Sequence, residues 1–208
     1  NMNLKFILED LKIDVELDKD IELDINITGL NTLQDAQSVE ISFLENKKYL
    51  SQLKESKAGA VFVTEEFKMD VPENSIALVV DEPYIYLAKA SKYFAPKVIE
   101  NTGDEAKLGF NCTVMPNTHI GFNTVIGDNC TIMHGAYIGD NVTIGDNTII
   151  HPNVTIYRDC TIAHNCIIHS GTVIGSDGFG FATTKLGEHI KIYQNGNVTI
   201  GNNVEIGS

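Results

Sequence analysis

Large aliphatic side chains recur at every sixth position through the middle of the chain. They are Leu108, Val114, Ile120, Ile126, Ile132, Ile138, Ile144, Ile150, Ile156, Ile162, Ile168 and Ile174. An α-helix cannot keep a period of six on one face, and a simple β-strand alternates with a period of two. A fixed short period is typical of a solenoid, in which each repeat buries its apolar face only by stacking on its neighbours.

A second series of positions, four residues after each aliphatic, carries only small side chains. Its members are Cys112, Thr118, Thr124, Cys130, Ala136, Val142, Thr148, Val154, Cys160, Cys166, Thr172 and Gly178. Three hexads per coil predict an 18-residue rung of triangular cross-section, with the aliphatic inside and the small residue at the corner. The sequence Ile-Gly-Asp-Asn, repeated from positions 126, 138 and 144, fits such corners because Gly and Asn tolerate the positive φ of tight turns.

The hexads resemble the hexapeptide repeat of the left-handed parallel β-helix. The left-handed crossover is implied by this resemblance and not by the residue pattern, since parallel strands are usually joined by right-handed connections. We therefore expect a left-handed parallel β-helix over 108–208. The hexad frame stops at Phe179 and resumes at Ile200, which predicts an inserted loop at about 180–199. The glycine-aromatic run that opens this loop either serves a functional surface or packs its two phenylalanines against the solenoid.

Residues 2–97 alternate short apolar runs with helical patterns, which predicts a small α/β domain ahead of the solenoid. Helices are predicted over Leu4–Leu11, over Asn46–Leu53 and from Pro83 onward, and strands over Ile21–Ile27, Ile41–Leu44, Ala58–Val63 and Ser75–Val80. Residues 98–107 form the junction. They are predicted to be a degenerate capping repeat, because Thr102 stands where an aliphatic residue belongs.

Composition and charge exclude several classes of function. The net charge is −13 and no basic stripe is present, which disfavours nucleic acid as a partner. The sequence contains no run of 18 apolar residues, so no transmembrane helix is predicted. The first residues also lack the apolar core of a signal peptide. A cytoplasmic location is the simplest interpretation.

The four cysteines all occupy the small inward position, so we expect packed neutral thiols and not metal ligands. Cys112 and Cys130 lie one rung apart, and a disulfide between them is sterically conceivable but disfavoured in a reducing cytoplasm. His151 and His169 are also one rung apart and are expected to stack on one face. No third ligand stands at matching spacing, so no metal site is predicted.

Two segments narrow the family. The first is Ile-Ser-Phe-Leu-Glu-Asn-Lys-Lys-Tyr over 41–49, and the second runs from 153 to 182 and contains Ser-Asp-Gly-Phe-Gly-Phe-Ala. Together with the order of the domains, they resemble the UDP-3-O-(3-hydroxyacyl)glucosamine N-acyltransferases of lipid A biosynthesis. The resemblance implies that residues 2–97 bind a uridine nucleotide.

Three candidate nucleotide-binding residues follow from this resemblance. Phe43 and Tyr49 would sandwich the uracil ring, and Asn46 would hydrogen-bond its edge. The residue types suit the task, because a base stacks on flat apolar faces and an amide offers both a donor and an acceptor. From the residues alone, the simpler interpretation is that Phe43 belongs to the core and Tyr49 to an exposed helix face.

The resemblance also implies the reaction and its participants. An (R)-3-hydroxyacyl chain passes from acyl carrier protein, through its phosphopantetheine arm, to the 2-amine of a UDP-3-acylated glucosamine. No metal or further cofactor is needed, and the family works as a homotrimer. The amine must lose a proton, for which a histidine is the natural general base, and a hydrogen-bond donor should stabilise the oxyanion.

The catalytic histidine is not expected among these 208 residues. The family's base lies in coils well after the Ser-Asp-Gly-Phe-Gly-Phe run, so we expect it beyond Ser208 and interpret the chain as truncated in mid-hexad. His164, in Ile-Ala-His-Asn, comes before that run and is only a fallback candidate.

Three alternative hypotheses remain open. The chain could be a sibling hexapeptide enzyme, such as an O-acyltransferase or an acetyl-CoA-dependent acyltransferase. It could be a non-catalytic β-helix scaffold. A carbonic anhydrase of the hexapeptide type would use His151 and His169 as zinc ligands between subunits.

Overall fold

The structure is a computed structural model that describes residues 2–13, 23–97 and 102–207. The chain divides into two compact units. One comprises the chain up to Pro96 together with Asp177–Asn195, and the other comprises Lys97–Ser176 and the residues from Gly196 onward. No helix in the described part of the chain is long and apolar enough to cross a membrane.

The first unit is built on a parallel sheet of four strands in sequential order. They are Gly29–Leu30 (β3), Glu40–Phe43 (β4), Ala60–Val63 (β5) and Ile76–Val79 (β6), and a separate antiparallel pair is formed by Met2–Asn3 (β1) and Asn26–Ile27 (β2). Every residue of β5 is buried, as expected of a central strand covered on both faces. One face packs with residues of the first and third helices, and the other packs with Leu53 of the second.

The helices of this unit have clear local causes. They are Leu4–Leu11 (α1), Leu50–Glu55 (α2) and Pro83–Ser91 (α3). The side chain of Asn3 caps α1 by accepting a hydrogen bond from the Lys5 amide, and Lys12 ends it in the left-handed conformation. Pro83 opens α3, where a missing N–H costs nothing. The bounds predicted for α1 and the start of α3 are confirmed.

Several predicted elements differ in length from their sequence patterns. The strands expected over Ala58–Val63 and Ser75–Val80 are Ala60–Val63 and Ile76–Val79. The strand expected over Ile21–Ile27 begins outside the described residues, and only Asn26–Ile27 forms a ladder, with Met2–Asn3. The helix expected over Asn46–Leu53 is a 3-10 turn at Lys47–Tyr49 followed by α2.

The second unit is a stack of two-residue parallel strands in three sheets, two of five strands and one of four among the described residues. The strands are Lys107–Leu108, Thr113–Val114, His119–Ile120, Val125–Ile126, Thr131–Ile132, Tyr137–Ile138, Thr143–Ile144, Ile149–Ile150, Thr155–Ile156, Thr161–Ile162, Ile167–Ile168, Val173–Ile174, Thr199–Ile200 and Glu205–Ile206. Ile126 pairs with Ile144 and Ile144 with Ile162, so successive coils repeat every 18 residues, as the hexads predict.

The inward aliphatics form one continuous core. Those from Ile126 to Ile168 are essentially inaccessible to solvent, and each such side chain contributes about 1.5–3 kcal/mol relative to exposure. Thr124 and Thr148 are buried with them, because each hydroxyl donates to a backbone carbonyl of a neighbouring coil, that of Gly139 and Ala163 respectively.

The corners are held by two side-chain ladders. Asparagines with φ near +57° recur at the turns, and their amides bond to one another along the stack, as in Asn147 to Asn165 and Asn165 to Asn203. One residue before each such asparagine, a carboxylate can add a second bond. Asp128, for example, accepts a hydrogen bond from the amide of Phe110 in the preceding coil. The Ile-Gly-Asp-Asn repeat therefore encodes both the turn and the bonds that stack it.

The chain leaves the coil after Ile174 and returns at Thr199–Ile200, which pairs with Thr161–Ile162. The exit is at Gly175, whose φ is +82° and whose added Cβ would lie 2.5 Å from the sulfur of Cys160. Glycine is therefore required there on two counts, conformation and space.

Between these points the insertion forms an antiparallel hairpin of Phe181–Thr183 and His189–Lys191. The hairpin belongs to the first unit, and Ala182 packs against Ile85 and Ala88 of α3. The phenylalanines are not packed away, since Phe179 is 95% exposed and Phe181 42%. Of the two alternatives left open for this run, packing away of both phenylalanines is therefore not observed.

Candidate functional site

The three residues implicated in nucleotide binding lie at the carboxyl end of β4 and in the turn that follows it. Phe43 is the last residue of β4. Its side chain is half-buried and packs against the core of the unit. Asn46 precedes the 3-10 turn and Tyr49 ends it. Carboxyl ends of parallel strands are where α/β sheets bind ligands, so this position suits a nucleotide site.

Asn46 has a local task that fixes its side chain. Its Oδ1 accepts a hydrogen bond of 3.0 Å from the Lys48 amide, which caps the 3-10 turn. Its Nδ2 has no acceptor within the part of the chain that the structure describes. The amide therefore offers two N–H donors outward, which suit a carbonyl oxygen of a pyrimidine edge.

Tyr49 presents an exposed ring. It is 41% exposed, and the Lys48 ammonium lies 4.6 Å from its ring centroid. No ring contact joins Tyr49 to Phe43 among the described residues. The two rings are therefore separate, and the positive charge of Lys48 lies over one face of Tyr49.

One neighbour of the site was not apparent from the sequence. The ring of Tyr84 lies 5.4 Å from that of Phe43, centroid to centroid, with the planes 33° apart. Sequence reasoning placed Tyr84 only within the helix predicted from Pro83 onward. The contact joins residues 41 positions apart (84 − 43), so no local signal could have revealed it.

His164, the fallback general base, is part of a corner ladder. Its Nδ1 accepts a hydrogen bond of 2.9 Å from the Asp146 amide, and its own amide donates to Oδ1 of Asn202. Asp146 does the same for the amide of Asp128 one coil earlier. His164 therefore substitutes for the corner aspartate, which gives it a structural role.

His151 and His169 stack as the spacing predicts, with ring centroids 4.9 Å apart and planes at 20°. Nε2 of His169 is 2.7 Å from Oε1 of Glu205 on the next coil. Within the described ranges, no group of three or more His, Cys, Asp or Glu side chains is placed to hold a metal ion.

The cysteines are free thiols. Cys130 and Cys160 are buried, and burial raises the pKa of both thiols above the ordinary value. The Cys130 thiol donates to the carbonyl of Gly145 at 3.2 Å. These groups are neutral packing residues, as expected from their inward position.

Comparison with known families agrees with the two-part architecture. Residues 24–93 match the family model of UDP-3-O-(3-hydroxymyristoyl) glucosamine N-acyltransferase, LpxD. Residues 123–158 and 141–176 match the bacterial transferase hexapeptide model of six repeats. The first match contains the three candidate nucleotide-binding residues.

Curated relatives extend the match over the whole chain. The chain is 64% identical to UDP-3-O-acylglucosamine N-acyltransferase 1 of Sulfurimonas denitrificans over 88% of its length and 57% of that protein's. It is 54% identical to the enzyme of that name from Campylobacter lari, over 89% of this chain and 58% of the relative. It is 44% identical to the enzyme of that name from Helicobacter pylori, over 100% of this chain and 61% of the relative.

The chain therefore spans about three fifths of the length of the curated relatives it matches. Their agreement in name, with the family model over the α/β unit, confirms the resemblance seen in the two sequence segments. The chain belongs to the family of the UDP-3-O-acylglucosamine N-acyltransferases.

Proposed function

We propose that the protein transfers an (R)-3-hydroxyacyl chain from acyl carrier protein to the 2-amine of a UDP-3-acylated glucosamine. In this proposal the α/β unit holds the uridine end of the acceptor. The observation that carries it is the placement of Phe43, Asn46 and Tyr49 around one turn at the carboxyl end of β4. The names of the relatives supply the sugar nucleotide and the reaction class.

The proposed contacts are those that the resemblance implies for the residues of this turn. The uracil ring stacks between Phe43 and Tyr49, and Asn46 donates an N–H to a ring carbonyl. The Lys48 ammonium, on the same turn, offers a positive charge to the phosphates. Such stacking is worth roughly 1–3 kcal/mol per base, enough to set the affinity of a nucleotide site.

The proposed acyl transfer is balanced between the thioester donor and the amine acceptor, and it needs no metal or other cofactor. The sugar amine attacks the thioester carbonyl of the donor, an amide forms, and the phosphopantetheine thiol leaves with a proton. A histidine that removes the amine proton and a donor to the oxyanion suffice for this step. His164 is not that histidine in our proposal, because its ring is committed to the corner ladder.

The resemblance also carries the finer architecture. We infer a left-handed sense for the coiled sheets, a homotrimer as the working assembly, and the cytoplasm as the location, where acyl carrier protein is found. Size-exclusion chromatography with light scattering measures the assembly, and a monomer at micromolar concentration would contradict the trimer.

Calorimetric titration with UDP tests the nucleotide site directly. We expect the protein to bind UDP and the Phe43→Ala variant to lose at least about tenfold in affinity, since it loses one stacking face. Phe6→Ala is the matched control, because Phe6 is an exposed aromatic of the same unit that contacts Tyr93. Absence of UDP binding by the unaltered protein would refute the proposal and favour a non-catalytic scaffold.

A further inference from the structure

Tyr84 and Phe43 form an aromatic pair at the proposed nucleotide site. Their ring centroids are 5.4 Å apart and their planes differ by 33°, so Tyr84 leans over one side of Phe43. Tyr84 itself is 37% exposed, so the pair lies at the surface and not within the core. An aromatic ring has two faces, and Tyr84 covers one of them on Phe43.

The backbone of Tyr84 is fixed by Glu45, which lies between Phe43 and Asn46 in the chain. Oε2 of Glu45 accepts a hydrogen bond of 3.1 Å from the Tyr84 amide. That amide is in the first turn of α3, where N–H groups have no partner inside the helix. A carboxylate is favoured there by the helix dipole as well. The turn that carries Asn46 is therefore bonded to the residue that covers Phe43.

The helix that carries Tyr84 is held from the other side by the hairpin. Ala182 packs against Ile85 and Ala88, and Oε1 of Glu82 accepts the Lys185 amide at 3.2 Å. The start of α3 is thus bonded to two separate segments of its unit. The backbone from which the Tyr84 ring extends is therefore held at two places.

We propose that Tyr84 is a specificity-determining residue of the nucleotide site and that Glu45 is its positioning residue. The inference rests on the proposed function, since it requires a base to stack on Phe43. With Tyr84 on one side, Phe43 accepts a base only on its other face. A base on that face meets the amide of Asn46, which selects a pyrimidine carbonyl.

Removing the Tyr84 ring uncovers the second face of Phe43. A base bound there has lost the Asn46 contact and is held by stacking alone, which tolerates any base. The loss therefore affects discrimination more than total binding. A residue with a merely structural role would lower stability without changing the preference for one base.

The test is the ratio of UDP to ADP affinity, measured by calorimetry on the whole chain. We expect Tyr84→Ala to lower this ratio at least about tenfold and Tyr84→Phe to preserve it, because the phenyl ring still covers Phe43. Glu45→Ala should lower the ratio partway, and Glu45→Gln should restore it, since the amide oxygen still accepts the Tyr84 N–H. Tyr84→Leu repeats the test if the alanine variant does not fold.

Tyr86→Ala is the matched control on the same helix. Tyr86 contacts Phe62, 6.1 Å away between ring centroids, and lies outside the proposed site. We expect a lower midpoint of thermal unfolding and an unchanged ratio.

The outcomes separate the two proposals. If the unaltered protein binds no UDP, the proposed function fails. If it binds UDP and Phe43→Ala weakens that binding at least about tenfold, but folded Tyr84→Ala keeps the original UDP to ADP ratio, only the role of Tyr84 is overturned.

Discussion

Ser42 is a fully buried hydroxyl in the central part of the sheet, and its Oγ has no hydrogen-bond partner among the described residues. A buried polar group without a partner costs about 1–3 kcal/mol. We therefore expect Ser42→Ala to raise the free energy of unfolding by about 1 kcal/mol. Urea denaturation, with the slope held constant between variants, measures the change.

Ser91 gives the opposite expectation for the same substitution. Its hydroxyl donates to the Ala88 carbonyl at 2.6 Å and accepts the Tyr193 amide at 2.8 Å. Ser91→Ala leaves that amide unpaired, so we expect a loss of about 1 kcal/mol. Equal effects of the two substitutions would contradict the assignment of partners.

At the scale of single residues, sequence reasoning could propose a site where the evidence is local in the chain. Phe43, Asn46 and Tyr49 lie within seven positions, and their motif could be compared with a family. The bond from Glu45 to Tyr84 joins positions 39 apart and depends on where α3 lies on the sheet. No pattern in one sequence specifies that contact, so Tyr84 was visible only in the structure.

Helix α1 and the 3-10 turn Lys92–Phe94 that follows α3 are joined by a cluster of three polar side chains, Asp10, Lys92 and Tyr93. The Lys92 ammonium lies 2.8 Å from Oδ2 of Asp10, and the Tyr93 hydroxyl also donates to that oxygen. The hydrogen bond from Lys92, and next that from Tyr93, lowers the pKa of the Asp10 carboxyl. The hydrogen bond with Asp10, and next that with Tyr93, raises the pKa of Lys92.

The pH dependence of stability follows from these directions. A carboxyl whose pKa is lower in the folded state stabilises the protein above its unfolded pKa, near 4. That contribution is lost as the pH falls through the folded value. We expect Asp10→Asn to flatten the fall of the thermal midpoint below about pH 4, and to lower the midpoint at neutral pH.

Glu9→Gln is the control for this experiment. Glu9 is the preceding residue of α1, is exposed, and takes no part in the cluster. The control variant should follow the unaltered protein through the acid range. If both variants behave alike, general charge repulsion and not the cluster governs the acid transition.

At the scale of helices and strands, the prediction was most complete where the sequence repeats with a fixed period. The six-residue repeat predicted the 18-residue coil, because one face of every coil must reach the core. Each two-residue strand from Lys107–Leu108 to Val173–Ile174 has a partner 18 residues away. The helix expected over Asn46–Leu53 shows the limit of such patterns. Asn46 caps a tight 3-10 turn, and the regular helix starts only at Leu50.

At the scale of the whole molecule, the first unit is assembled from two segments separated by the coils. The hexad frame predicted that residues near 180–199 leave the coil, but not where they go. Ala182 is 1% exposed, so the hairpin is packed on α3 as firmly as a core element. Its destination depends on tertiary packing, which the repeat does not encode.

A buried charge on the hairpin tests this assembly. We expect Ala182→Asp to reduce the stability of the first unit by about 3 kcal/mol, since an unpaired carboxylate cannot be desolvated cheaply. Hydrogen exchange at Ala60–Val63 should accelerate, because α3 packs against that strand.

Thr183→Asp is the matched control, since Thr183 is the next residue of the hairpin and is exposed. It should leave exchange in β5 unchanged. Equal acceleration in both variants would mean that the hairpin responds to charge alone, not to loss of its packing on α3.

The hairpin also has a consequence for synthesis on the ribosome. The face of α3 formed by Ile85 and Ala88 emerges from the ribosome long before the residues that cover it, which are Ala182, Ile190 and Ile192. At roughly 5–20 residues per second, the hundred residues between them take on the order of 5–20 s to translate. During that interval the nascent chain carries an uncovered apolar helix face, so the first unit is completed only after the coils up to Ile174 have been made.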